Sequence, residues 1–174
     1  MNKPSIYIGI DPDADKSGLA VVNTKERHAH LVVLPFFELL DAIRMYVAKA
    51  CANDLEPIVI IEGGWLNKGN WHLTRRDSRF SASAIGRKVG MNHQTGILIA
   101  EYCKTKAIPY KVVVPLWKCW SGHDHKITHA ELIQFADIDT KRENQEARDA
   151  CLLAWYHAGL PIRLPPITKQ RGHK

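Results

Sequence analysis

The sequence predicts an α/β domain with a five-stranded mixed sheet, three antiparallel strands followed by two parallel strands, flanked by helices. Short apolar runs with polar links fill residues 5–34, and later apolar stretches alternate between helical spacing and continuous runs. The chain of 174 residues is long enough for one hydrophobic core. Because no repeat or compositional break divides it, we expect a single domain at 1–165 and a basic tail at 166–174.

The first three strands are predicted at 5–10, 18–23 and 28–34. Each is a β-branched or apolar run. A turn rich in Asp and Pro at 11–17 and a polar link at 24–27 connect them. Such short links can join only antiparallel neighbours, so these strands form a meander.

A helix and a central strand follow. Residues 38–52 carry apolar side chains at near-helical spacing, which predicts an amphipathic helix. The continuous apolar run 57–61 is typical of a strand covered on both faces. With a helix as the crossover, this fourth strand should be parallel to the first.

The rest of the chain predicts three helices and one strand. Helical periodicity with several small residues spans 81–106, and 108–114 is the fifth strand. A short helix is predicted at 128–136 and a last helix at 144–157. Residues 115–125 between them are irregular and rich in Trp, His and Lys.

Four carboxylates lie at the ends of these apolar elements. Asp11 follows the first strand, Glu62 ends the fourth, and Glu146 and Asp149 open the last helix. Residues three apart on a helix share a face, and parallel strands end side by side. Carboxylates at the edge of a core are costly to desolvate unless a cation joins them. The pattern therefore predicts a site for Mg²⁺ or Mn²⁺, which prefer oxygen ligands.

Each acid also has a structural alternative. Asp11 is a residue type common in turns. Glu146 and Asp149 are also suited to complement a helix dipole. Glu62 has the weakest alternative. The combination, in this order and at these element ends, favours the metal site.

The positive charge indicates a polyanionic partner. The net charge is +6, with basic residues concentrated in 68–88, 104–126 and 169–174. Solvated faces are the alternative. A basic chain that gathers carboxylates at the ends of core elements is typical of a nuclease, in which cations hold phosphates and metal-loaded acids cut them.

The cysteines and the apolar runs of the sequence indicate the cellular compartment. The four cysteines lack any CxxC pair, which favours a reduced setting and disfavours structural zinc. No apolar run is long enough to span a bilayer, and no signal peptide precedes the first strand. We expect a cytoplasmic protein without a membrane partner.

The motifs resemble those of the RuvC-type Holliday junction resolvases, which belong to the ribonuclease H-like nuclease superfamily. Ile10-Asp11-Pro12 matches the end of that family's first strand, with Gly18 opening the second strand. Glu62 matches its fourth-strand acid. Glu146 and Asp149 match the acidic pair that opens its last helix. The resemblance covers nearly the whole chain and implies a ribonuclease H-like fold.

The resemblance implies a metal-dependent, structure-selective DNA endonuclease that resolves four-way junctions by paired symmetric nicks. All four acids would be catalytic metal ligands for two Mg²⁺ (or Mn²⁺) ions in a two-metal hydrolysis of the phosphodiester bond. Two cuts related by symmetry require a homodimer, for which the helix 81–106 is the candidate contact surface. A branch-migration helicase is a further partner that the sequence does not identify.

The resemblance also suggests DNA-binding residues. Trp65, three residues beyond Glu62, matches an aromatic that stacks on bases, although it could instead cover the core or a dimer face. Lys126 fits a lysine that contacts the scissile phosphate and is therefore also predicted to be catalytic, and Lys118 approximates another. The basic segment after the fourth strand adds Lys68, Arg75, Arg76 and Arg79.

Some features leave alternatives open. Asp13 stands where the family commonly has Gly, and Asp13 and Asp15 could recruit a metal or weaken phosphate approach. His123, His125 and His129 are better explained as phosphate-contacting or loop residues than as zinc ligands. Rival functions are a nuclease of the same fold acting on other branched DNA or RNA–DNA hybrid, an actin-like or sugar-kinase ATPase, and a non-catalytic junction-binding protein.

Overall fold

The computed structural model describes residues 4–67, 79–139 and 143–164. Its core is a six-stranded sheet in the order β5-β4-β1-β2-β3-β6. The strands are β1 Ile6–Asp11, β2 Ser17–Asn23, β3 His28–Leu34, β4 Pro57–Glu62, β5 Tyr110–Val113 and β6 Asp137–Ile138, and the helices are α1 Phe36–Cys51, α2 Arg79–Thr105, α3 His129–Leu132 and α4 Gln145–His157. None of the described helices is long and apolar enough to cross a membrane.

The strand pairing confirms the predicted fold class. β1 and β2, and β2 and β3, pair antiparallel, whereas β1 with β4 and β4 with β5 pair parallel. This is the ribonuclease H-like arrangement, with β1 between β4 and β2.

The prediction of five strands was wrong by one. α3 ends at Leu132, well before residue 136, and β6 then pairs parallel with β3. His28 Nδ1 lies 3.1 Å from Asp137 Oδ2, which adds a side-chain contact to the pairing. A two-residue strand has no measurable periodicity, and its partner lies more than a hundred positions away, so sequence pattern did not reveal it.

Apolar side chains cover both faces of the sheet. The odd and even positions of β1 point to opposite faces, so Ile8 packs with α1 and α2 while Tyr7 packs with α4. Trp155 of α4 is fully buried on its side, as is Ile43 of α1 on the other. Burial on both faces explains why the central strands are continuous apolar runs.

Two glycines bring α4 against the sheet. A β-carbon on Gly9 would lie 2.1 Å from the carbonyl oxygen of Ala150, and one on Gly18 would lie 2.0 Å from that of Glu146. Any side chain at either position would therefore push the helix away. The start of α4 thus lies directly over the carboxyl half of β1 and the beginning of β2.

Candidate active site

Three of the predicted acids meet at the carboxyl ends of the central strands. Ile10 of β1 is opposite Ile61 of β4 in a parallel pair, so the next residues, Asp11 and Glu62, lie side by side. Both line a cavity of about 80 Å³, together with Asp149 of α4. The sheet topology and the close approach of α4 therefore bring residues that are far apart in the sequence into one cavity.

Both predicted lysines line the same cavity. Lys126 Nζ lies 3.0 Å from Asp149 Oδ2, and Lys118 belongs to the cavity wall. The other oxygen of Asp149 accepts a hydrogen bond of 2.8 Å from Gln145 Nε2. The cavity therefore combines three carboxylates with two cationic side chains.

Crowding of negative charge perturbs the acids. Burial, followed by the charges of Glu62 and Asp149, raises the pKa of Asp11 well above its ordinary value. Burial and the charge of Asp149 raise the pKa of Glu62 to about 7, although Lys126 and Lys118 act to lower it. Burial acts to lower the pKa of Lys126, but the charges of Asp149, Asp11 and Glu146 and the hydrogen bond to Asp149 together raise it. The lysines thus offset only part of the repulsion.

Glu146, the fourth predicted acid, lies beside the cavity and is not part of its lining. Its charge contributes to the raised pKa values of Asp11 and Lys126, so it lies within electrostatic range of both. Its backbone carbonyl is the group that touches Gly18. Three acids therefore line the cavity and the fourth borders it.

A divalent cation suits this donor set chemically. Carboxylate oxygens are the ligands of Mg²⁺ and Mn²⁺, and a cation would relieve the repulsion that raises the pKa values of Asp11 and Glu62. Across 4–67, 79–139 and 143–164, no three His, Cys, Asp or Glu side chains are arranged as a ready metal-ligand cluster. Asp149 instead pairs with Lys126. The metal ligands remain a prediction.

The raised pKa of Glu62 predicts a pH-dependent stability of the metal-free protein. The pKa of Glu62 rises from 4.5 to about 7 in the folded state. Its contribution to the free energy of unfolding is therefore full below pH 4.5 and is lost as pH rises through about 7. Glu62→Gln should therefore stabilise the protein at pH 8 by up to about 3 kcal/mol and leave it nearly unchanged at pH 4.5. Urea unfolding in EDTA at several pH values measures this.

Glu56→Gln is the matched control for that experiment. Glu56 is exposed just before β4, so its substitution should leave the pH dependence of stability unchanged. Parallel stability curves for the wild type and Glu62→Gln across this pH range would contradict the prediction.

Sequence reasoning missed the residues that fix the start of α4. Arg148 donates from Nε to the Ile127 carbonyl at 3.1 Å and from Nη1 to the Glu143 carbonyl at 2.6 Å. Gln145 Nε2 also donates to the Ile127 carbonyl, at 3.1 Å. These bonds tie the helix that carries Asp149 to the segment that carries Lys126. An Arg between two acids on a helix carries no specific signal for such a role.

Trp117 was also missed as a member of the cavity wall. Trp117 directly precedes Lys118 and is 78% exposed. An aromatic residue beside a lysine in an irregular basic segment was the available signal.

Trp65 lies away from the cavity wall and packs inward. It is half-buried, and a β-carbon on Gly96 of α2 would lie 2.5 Å from its ring. Its ring also meets that of His93 edge-on, with centroids 6.3 Å apart. This geometry matches the alternative in which Trp65 covers the core. Base stacking by Trp65 remains a prediction.

The structure describes only part of the predicted basic DNA-binding segment. Lys68, Arg75 and Arg76 lie outside the described residues, as does the tail from 166. Arg79 is the first residue of α2.

The carboxylate of Asp13 is engaged in its own turn. It accepts hydrogen bonds from the Asp15 amide at 2.9 Å and from Asn92 Nδ2 at 3.0 Å. The amide of Ala14 donates to Asn92 Oδ1 at 2.9 Å. Asp13 therefore fastens the turn after β1 to α2. Its φ is not positive, so the backbone at this position does not require a glycine.

The three histidines do not gather around one point. His129 pairs with Glu143 at 2.7 Å, and His123 pairs with Asp124 at 3.1 Å. His125 lies at the cavity. The preference for phosphate-contacting or loop roles over a zinc site remains a prediction.

Comparisons with known proteins add a likeness in fold. No protein-family model matches the chain, and no curated protein matches it in sequence. Among solved structures, the chain is similar to T. thermophilus RuvC in complex with a Holliday junction substrate, with a TM-score of 0.47 and 17% sequence identity. The alignment covers 88% of this chain and 93% of that chain.

Proposed function

We propose that this protein is a metal-dependent endonuclease that hydrolyses phosphodiester bonds in branched DNA, resolving four-way junctions by paired nicks. The observation that carries the proposal is the meeting of Asp11, Glu62 and Asp149 in one cavity with Lys118 and Lys126. Acids without cations would repel a phosphate, and cations without acids would only bind it. Their combination suits phosphodiester hydrolysis.

Each group has a distinct role in the proposal. Asp11, Glu62 and Asp149 would hold the metal, with Glu146 adding negative charge from the border of the cavity. The ions supply activation of water and stabilisation of the leaving oxygen when bound. Lys118 and Lys126 would bind the phosphate oxygens. Because Lys126 lies 3.0 Å from Asp149, neutralisation of that carboxylate would release the ammonium toward the phosphate.

We further propose a homodimer formed through α2, since paired nicks need two sites related by a two-fold axis. The exposed face of α2 carries Met91, Ile97 and Leu98. Gly86 and Gly90 have no described atom within 4 Å of an added β-carbon. Gly96 and Ala100 pack toward the sheet, so the small residues available for contact are fewer than the sequence suggested.

Leu98→Glu should convert the dimer to a monomer. Leu98 is 45% exposed in the single chain, so a charge there is tolerated in the monomer but would be buried at the interface. Light scattering after gel filtration measures the mass, and nick mapping should change from paired to single cuts. An unchanged mass, or a monomeric wild type, would refute this interface. Met45→Glu, at an exposed apolar residue of α1, is the control.

The experiment that tests the function uses a synthetic four-way junction, a linear duplex and an RNA–DNA hybrid, each with and without Mg²⁺. We expect Mg²⁺-dependent nicks at symmetric positions on opposing arms of the junction and little cutting of the duplex. Preferential cutting of the hybrid would identify a different nuclease. Junction binding without any cutting in Mg²⁺ or Mn²⁺ would identify a non-catalytic binding protein.

A further inference from the structure

Trp117 is presented to solvent at the edge of the cavity. It is 78% exposed, although the nearby Trp120 is buried. Exposure of a large aromatic ring is unfavourable in water, and here the residue lines the cavity together with Lys118, Asp11 and Glu62. A single exposed aromatic residue is common on protein surfaces. One that borders a cluster of acids and lysines is placed to contact a ligand bound there.

The segment that carries Trp117 is anchored in the core at Trp120. Trp120 packs against Phe135, with ring centroids 6.2 Å apart, and Phe135 packs against Trp155 of α4 at 5.7 Å. The Trp120 amide donates to the His125 carbonyl at 3.1 Å. Trp117 therefore lies three residues from a point anchored in the core. Trp117 itself lines the cavity, and its side chain is left exposed.

We propose that Trp117 stacks on an unpaired or splayed nucleobase next to the phosphate that is cut. Stacking on an aromatic ring accepts any base, which suits a branch point, and the adjacent Lys118 would hold the neighbouring phosphate. Trp65 is half-buried against Gly96 and presents less of its ring. This inference rests on the proposed function, because it needs DNA in the cavity.

Binding of a four-way junction to Trp117→Phe and Trp117→Leu tests the inference. Both variants are made in a Glu62→Gln background, and the junction carries 2-aminopurine beside the mapped nick. We expect Leu to weaken binding by about 5-fold to about 100-fold and to abolish quenching of the 2-aminopurine, because it is apolar but cannot stack. Phe should retain most of both. Equal behaviour of Phe and Leu, whether both bind or both fail, would overturn the inference.

Two controls separate the possible failures. Thermal unfolding should be unchanged in both variants because the side chain is exposed. Failure of the wild-type protein to bind or cut any branched DNA would refute the proposed function together with the inference. Normal cutting by the wild type, with no loss of binding or quenching in Trp117→Leu, would refute the stacking role alone.

Discussion

Asp11→Asn should abolish DNA cleavage, by about 10³-fold or more, and leave junction binding intact. Asp11 lies beside Glu62 at the cavity, and a neutral amide cannot supply the charge that a divalent cation needs. Loss of several kcal/mol of transition-state stabilisation corresponds to this factor. Because burial and the charges of Glu62 and Asp149 raise the pKa of Asp11, the neutral residue should not destabilise the metal-free protein. Single-turnover cleavage and a binding titration measure the two effects.

Asp15→Asn is the matched control for Asp11→Asn. Asp15 is exposed on the same turn and does not line the cavity. Its substitution should change neither cleavage nor binding. Cleavage by Asp11→Asn at the wild-type rate would remove the proposed mechanism, and equal losses in both variants would indicate a general effect of charge.

Gly18→Ala should destabilise the protein by about 3 kcal/mol and lower activity by about 100-fold. The new β-carbon would meet the Glu146 carbonyl oxygen at 2.0 Å, and a backbone atom has little freedom to yield. The start of α4 must therefore move, which displaces Asp149 relative to Asp11. A shift of about 1 Å in a reacting group is enough for such a loss of rate. Urea unfolding and cleavage rates measure the two effects.

Gly86→Ala provides the comparison. In the described part of the chain, nothing lies within 4 Å of its added β-carbon, and it lies within α2. We expect a gain of about 0.5–1 kcal/mol from the better helix propensity of alanine. If Gly18→Ala were as stable and as active as Gly86→Ala, the close approach of α4 would not govern the site.

The central strands could be predicted because each is marked by a pattern in its own local sequence. The run ending in Asp11 and the run ending in Glu62 are buried on both faces, so each is a continuous apolar stretch that stops at a charge. The predicted bounds of β1 differ from the structure by one residue at each end, and those of β4 by one residue at the carboxyl end. Parallel pairing followed from the intervening helix, and it brought the two carboxylates together.

Other features depend on contacts that no local pattern encodes. The pairing of β6 with β3 joins His28 to Asp137 across most of the chain. The ion pair between Lys126 and Asp149 depends on how a loop passes the start of α4. Trp117 and Trp120 are identical residues three positions apart, yet only the second is buried. Packing, not composition, distinguishes them.

The contact of α4 with the glycines of the sheet limits how this protein can evolve. A β-carbon on Gly9 would lie 2.9 Å from that of Ala154, so neither position has room for a larger residue. A larger side chain at either position would displace α4 whatever the substrate. The exposed residues 117–119 have no such packing constraint. Under the proposed function, substitutions in that loop would alter the preference among branched DNA substrates without disturbing the packing that positions the acids.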